Sequence, residues 1–134
     1  MRNYEAVSAG QTDIGQVRQS NEDYHLAAGD LFLVADGMGD SGLGELASRL
    51  AVETVRDRFT ENPTADGLVD AVAAANTAVY RRRDEATNGE HFGTTIAAVA
   101  LVGDGDRDLL ISVNVGDSRV YLCLLYTSPS PRDA

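Results

Sequence analysis

Residues 31–42 read Leu31-Phe32-Leu33-Val34-Ala35-Asp36-Gly37-Met38-Gly39-Asp40-Ser41-Gly42, and the fold turns on this stretch. The first five residues are apolar without a break, which predicts a strand buried on both faces. The strand runs directly into an aspartate and a glycine-rich turn. From Leu43 the period changes: Leu46, Ala47, Leu50, Ala51, Val55 and Phe59 recur at spacings of three and four, the apolar stripe of an amphipathic helix. Asn62-Pro63 ends that helix, and Thr64 or Asp66 can cap a second one. The second helix puts Leu68, Val69, Val72, Asn76, Val79 and Tyr80 on one side and stops near Asn88-Gly89. Two such helices in succession predict a helical layer lying on a sheet.

Working outward, residues 4–12 are a short mixed strand candidate and residues 13–23 are polar and loop-like. Residues 24–28 form a strand that reaches residue 31 through the turn pair Gly29-Asp30. Beyond Gly93 the pattern is β again, with strands expected at 94–102, 109–115 and 119–124, the first two joined by a charged turn over 103–108. Ile111, Val113 and Val115 face one way while Leu110, Ser112 and Asn114 face the other, as in a half-buried antiparallel strand. Strands, two helices and strands again make an α+β chain with an antiparallel sheet and segregated helices. No internal repeat is present.

The chain has 134 residues and a formal charge of −10, from 21 acidic and 11 basic residues, every basic one an arginine. That balance argues against a nucleic-acid or anionic membrane partner, since both require a basic footprint. The longest basic run, Arg81-Arg82-Arg83, suits a helix C-terminal turn. One cysteine, Cys123, excludes an internal disulfide and a cysteine-ligated zinc site. No apolar run approaches the ~20 residues that span a bilayer, and the N-terminus lacks a signal-peptide stretch, so a cytoplasmic protein is expected. The final stretch, residues 123–134, breaks off the β pattern with two prolines; its wording resembles translated adapter read-through, and no function is assigned to it.

Three groups of residues place carboxylate at strand ends: Arg18 with Asn21-Glu22-Asp23, then Asp36-Gly37, then Gly116-Asp117-Ser118-Arg119. Carboxylates with a glycine carbonyl make an all-oxygen environment suited to Mg²⁺ or Mn²⁺. Singly, each also reads as an ordinary turn or solvated loop. Two other motifs fail. Gly37 to Gly42 fits G-x-G-x-x-G, but a second helix follows where a dinucleotide fold needs a second parallel strand, and Asp36 and Asp40 would oppose a pyrophosphate. Asp104-x-Asp106-x-Asp108 begins like a calcium loop, yet Leu109 and Val115 stand where Gly and Glu are required.

In order, the chain carries Thr12-Asp13-x-Gly15-x-Val17-Arg18-x-x-Asn21-Glu22-Asp23, Val34-Ala35-Asp36-Gly37-Met38-Gly39, Gly44-Glu45-x-Ala47-Ser48, Gly93-Thr94-Thr95 and Asn114-Val115-Gly116-Asp117-Ser118-Arg119. This order resembles the N-terminal half of a bacterial type 2C (PPM-type) serine/threonine protein phosphatase. The resemblance implies a four-layer α-β-β-α fold, an antiparallel β-sandwich flanked by helices, incomplete in this chain. It implies a site with two Mn²⁺ or Mg²⁺ ions and in many bacterial members a third. Asp36 would bridge two ions and Gly37 would offer its carbonyl. Glu22 and Asp23 would hold metal-bound water, Arg18 the phosphate, and Asp117 the third ion. The expected reaction is direct hydrolysis of phosphoserine or phosphothreonine in proteins by a metal-activated water, with no covalent intermediate. Relatives from higher organisms carry a His at the place of Met38, which cannot act as an acid, so leaving-group protonation falls to water or another group. His25 and His91 lie outside the motifs and read as structural or surface residues.

Asp40 stands where a further glycine is usual in this family. Residues 1–122 read as the first part of the domain, about half of the family's length, and the chain alone is expected to have little or no activity. The alternative is a non-catalytic pseudophosphatase module that binds phosphoproteins.

Overall fold

The computed structural model describes residues 5–16, 20–40, 42–86 and 91–124, with the side chains of 85 and 86 set aside. In chain order the elements are β1 (Asp23–Ala28), β2 (Leu31–Gly39), α1 (Leu43–Glu61), α2 (Ala65–Ala86), β3 (Phe92–Thr94), β4 (Ile96–Asp104) and β5 (Arg107–Val115). Every pairing is antiparallel. The sheet runs β1-β2-β4-β5, and β3 extends the β4 edge along the far end of β2. The α+β reading with segregated helices therefore holds.

Two-residue turns set the registers. Gly29-Asp30 pairs Ala28 with Leu31, and Gly105-Asp106 pairs Asp104 with Arg107, whose side chains also meet in a 2.9 Å ion pair. With these registers fixed, one face of the sheet is apolar: Leu31, Leu33 and Ala35 from β2 line up with Ile96, Ala98, Ala100 and Val102 from β4. Helix α1 lays Ala51, Val52, Val55 and Phe59 on that face, and α2 adds Leu68, Ala71 and Ala75. Burial of these side chains stabilises the layer by ~25 cal/mol for each Å² of apolar surface removed from water. Thr64 caps α2 by accepting the Gly67 amide at 3.0 Å, one of the two caps expected.

Four expectations are corrected. Leu31 to Ala35 is not buried on both faces: Leu31, Leu33 and Ala35 are buried, but Val34 is 46% exposed, because both helices cover the same side. The described residues thus supply one helical and one sheet layer of the four. In α2, Val69, Asn76 and Tyr80 are exposed, and the buried stripe passes instead through Leu68, Ala71 and Ala75. No strand forms over 5–12 or 119–124, where neither segment has a sheet neighbour to take its hydrogen bonds. The strand expected at 94–102 is two strands, β3 and β4, broken at Thr95. The stop of α2 expected near Asn88-Gly89 lies outside the described residues, the helix being described to Ala86.

Candidate metal centre

The β1–β2 register places Asp23 directly opposite Asp36. Residues opposed in this way project to one face with Cβ atoms ~4.5–5.5 Å apart, so the two carboxylates share a patch of surface. Asp36 alternates with buried Ala35 and Gly37, which puts the pair on the face away from the helices. Two like charges in that position repel unless a cation or a proton intervenes.

Glu22 precedes Asp23 and so turns to the opposite face, beneath the first turn of α1. Its carbonyl extends the ladder by accepting the Gly37 amide at 3.0 Å. Its side chain reaches Gly44, where an added Cβ would overlap Oε2. That oxygen is buried without a hydrogen-bond partner among the described residues. Gly37 and Gly44 are both required by this approach, since a Cβ on Gly37 would overlap the Gly44 carbonyl. A buried carboxylate oxygen with no donor is costly, and a cation or an ordered water would relieve it.

Asn21 orients this corner from the loop side. Its Oδ1 accepts the Asp23 amide at 3.0 Å, and its amide group donates to Thr12 Oγ1 at 2.9 Å. Asp13 closes a local turn by accepting the Gly15 amide at 2.7 Å. Thr12, Asp13 and Asn21 thus shape the entry to β1. Arg18, the expected phosphate ligand, lies outside the described residues.

The third group arrives through β5. Carrying the β2–β3 and β4–β5 registers on by one residue sets Thr95 opposite Asp36 and Gly116 opposite Thr95. Thr95 donates its amide to the Asp36 carbonyl at 2.9 Å, and its hydroxyl accepts the Asp36 amide at 3.0 Å. The same hydroxyl shares a 2.5 Å hydrogen bond with Ser118 Oγ. Gly116 has φ +95°, and a Cβ there would come within 2.7 Å of Thr95 Cγ2, so only glycine fits. Asp117 is exposed between these two anchored residues.

A cavity of about 250 Å³ gathers Asp23, Asp36, Thr12, His25 and Ser118. His25, read as structural or surface, lines it; His91 is exposed. Met38 is 64% exposed. The donor chemistry suits a hard divalent ion, with the Asp23 and Asp36 carboxylates on one face, while the Glu22 oxygen, buried without a partner among the described residues, lies on the helix-covered side. The number of donors is short: among the described residues no three of His, Cys, Asp and Glu converge on one point. Sequence reading gave no role to Thr95, Ser118 or Gly44. The turn at Gly105-Asp106 already aligns Thr95 with Gly116, and that alignment was the available signal.

The chain belongs to the Protein phosphatase 2C family, whose sequence profile matches residues 12–124. It is similar to the serine/threonine protein phosphatase PstP of Mycobacterium tuberculosis (strain ATCC 25618 / H37Rv), with 36% identity over 117 residues, 85% of this chain and 22% of the relative. Protein phosphatase PhpP of Streptococcus pneumoniae (strain ATCC BAA-255 / R6) is 29% identical over 123 residues, 83% of this chain and 48% of the relative. Among solved structures, the PPM Ser-Thr phosphatase MsPP from Mycobacterium smegmatis, in complex with cacodylate, superposes with TM-score 0.69 and 41% identity over 81% of this chain and 44% of that one. The catalytic domain of PstP in complex with two manganese ions gives TM-score 0.71 and 34% identity over 81% and 47%. The chain spans less than half the length of these relatives. No helix among the described residues is long and apolar enough to cross a membrane.

Proposed function

We propose that this chain supplies the N-terminal part of a centre that hydrolyses phosphoserine and phosphothreonine in proteins. The observation that carries the reading is the Asp23–Asp36 pair, set side by side at the end of the sheet with the unpartnered Glu22 oxygen behind it. Asp36, Asp23, Glu22 and the Gly37 carbonyl would hold two Mn²⁺ or Mg²⁺ ions, with Asp117 serving a third. Such ions, when bound, lower the pKa of water and clamp phosphoryl oxygens for in-line displacement. The solved catalytic domain of PstP with two manganese ions supports Mn²⁺ as the first ion to test.

The chain's own residues have separate tasks in this reading. Arg18 presents a planar fork matched to two phosphate oxygens. Asp23 and Asp36 repel each other without a cation and so favour the loaded site. Met38 has no proton to give, and the leaving serine or threonine would take one from water or another acid. The substrates are phosphorylated proteins in the cytoplasm, and residues 123–134 take no part. The chain spans less than half the length of the relatives it matches, and by itself it would turn over slowly or not at all.

The test is Mn²⁺ binding by the purified chain, followed through the free-ion electron paramagnetic resonance signal, with p-nitrophenyl phosphate and a phosphothreonine peptide as substrates. Binding that Asp36→Ala removes, with little turnover, is the expected result. Turnover that persists in EDTA, or Mn²⁺ binding that ignores Asp36→Ala, refutes the metal reading. Robust turnover lost in Asp36→Ala keeps the reading but overturns the weak activity of the chain alone. Tight phosphopeptide binding without Mn²⁺ and without turnover would mark a pseudophosphatase module instead.

A further inference from the structure

We propose that Thr95 is a positioning residue that ties the backbone of Asp36 to the loop bearing Asp117, so that the two carboxylates are placed as one unit. The inference rests on the metal-centre reading above and deepens it. Thr95 sits at the one point where the strand along β2 is broken, between β3 and β4. In an unbroken ladder the Asp36 amide would bond to the Thr95 carbonyl. Here it bonds to the Thr95 hydroxyl at 3.0 Å, while the Thr95 carbonyl takes the Thr94 hydroxyl at 2.9 Å.

This exchange of acceptors has a consequence for the hydroxyl. With the Asp36 amide on one lone pair, Thr95 Oγ1 keeps one proton and one lone pair, and both lie within reach of a single further group, Ser118 Oγ at 2.5 Å. Asp36, Thr95 and Ser118 therefore form a continuous chain of hydrogen bonds, and bonds in such a chain strengthen one another. Gly116 stands opposite Thr95 in the continued β4–β5 register, so close that a Cβ there would come within 2.7 Å of the Thr95 methyl group. Asp117 lies between Gly116 and Ser118, so its backbone is held on Thr95 at both flanks. Serine at 95 would keep the hydrogen bonds and lose the methyl contact; valine would keep the shape and lose the bonds.

The variants are Thr95→Val, Thr95→Ser and Ser118→Ala in the full chain, read in two ways. The first is amide hydrogen exchange at Asp36 in metal-free protein. The second is the Mn²⁺ dissociation constant from the free-ion resonance signal. Thr95→Val is expected to speed Asp36 exchange and raise the Mn²⁺ constant about tenfold, as loss of a shared hydrogen-bond network predicts. Thr95→Ser is expected to stay within about twofold of the parent on both. Ser118→Ala, which leaves the Asp36 amide its acceptor, is expected to speed Asp36 exchange all the same, and this variant carries the test if Thr95→Val does not fold. Thr95→Ser as weak as Thr95→Val, a Thr95→Val Mn²⁺ constant equal to the parent's, or Asp36 exchange unmoved by Ser118→Ala each overturn the proposal. A parent chain that binds no Mn²⁺ refutes the metal-centre reading instead, and the exchange arm still decides whether Thr95 couples the two segments.

Discussion

Replacing Asp23 with asparagine is expected to make the metal-free protein more stable and the Mn²⁺-loaded protein less so. Asp23 and Asp36 are cross-strand partners on one exposed face. At a separation of ~5.5 Å, two unit charges repel by about 0.8 kcal/mol in the dielectric of water and by about 3 kcal/mol at an effective dielectric of 20. Exposure of both side chains puts the pair near the lower figure, so Asp23→Asn should gain roughly 0.5–1 kcal/mol in EDTA. For a chain of this size that is a rise of ~2–4 °C in the unfolding midpoint. Asparagine keeps the shape of aspartate and its backbone amide bond to Asn21, so little else changes. In the parent, Mn²⁺ at about 100 times its dissociation constant would add ~2.7 kcal/mol, and the variant would lose most of that gain. The melting curves of the two proteins should therefore cross in order between EDTA and Mn²⁺. In about 1 M NaCl, where the screening length is ~3 Å, the gain in EDTA should shrink towards zero. Differential scanning fluorimetry with and without Mn²⁺, at low and high salt, reads all four states. A variant that melts below the parent in EDTA, or that keeps the full Mn²⁺ shift, refutes the reasoning.

Other substitutions test how the site is built. Gly44→Ala drives a Cβ into the Glu22 carboxylate and within 3.0 Å of the Met38 amide, and should cost ~1–3 kcal/mol in urea unfolding. Leu68→Ala empties a fully buried position between α2 and the rest of the core and should cost ~2–5 kcal/mol by the same measurement. Thr64→Ala removes the α2 cap and should cost ~1 kcal/mol, visible as a lower urea midpoint at unchanged slope.

Much of this was legible in the sequence for definite reasons. The helix over 43–61 showed through its recurring apolar residues, of which Ala47, Ala51, Val55 and Phe59, each four apart, are buried. Strand identity showed through apolar runs, alternation and turn residues; the turn expected over 103–108 is narrower, the two residues Gly105-Asp106 between paired Asp104 and Arg107. Burial on both sides of Leu31 to Ala35 did not follow, because a continuous apolar run says that a strand could be covered twice and not whether a second layer is present. Phe32, Val34 and Val99 instead line an open cavity of about 400 Å³ with the segment Val7 to Gly10. The α2 face was misjudged because its buried stripe is built largely from alanines. Ala71 and Ala75 carry less apolar surface than Val69 and Tyr80, and a reading weighted by hydrophobicity turns the helix the wrong way. The motifs named Arg18, Glu22, Asp23, Asp36, Gly37 and Asp117 as candidates, while the facing of Asp23 and Asp36 depended on register.

Register makes one row of the sheet the organising element of the site. Asp23, Asp36, Thr95 and Gly116 stand side by side across four neighbouring chain segments, although they are 93 positions apart from first to last in sequence. Each residue type follows from its place in that row. The first two are carboxylates of like charge, the third is a hydroxyl that bonds to the Asp36 amide and to Ser118 in the loop beyond, and the fourth has no side chain because Thr95 fills the space. A shift of β2 by one residue would turn Asp36 to the helix-covered face and part it from Thr95. The buried alternation of Leu31, Leu33 and Ala35 against Ile96, Ala98 and Ala100 guards against that shift, since slippage of β2 would expose its three buried residues to water. The hydrophobic core and the chemistry at the strand ends are therefore two outcomes of one register.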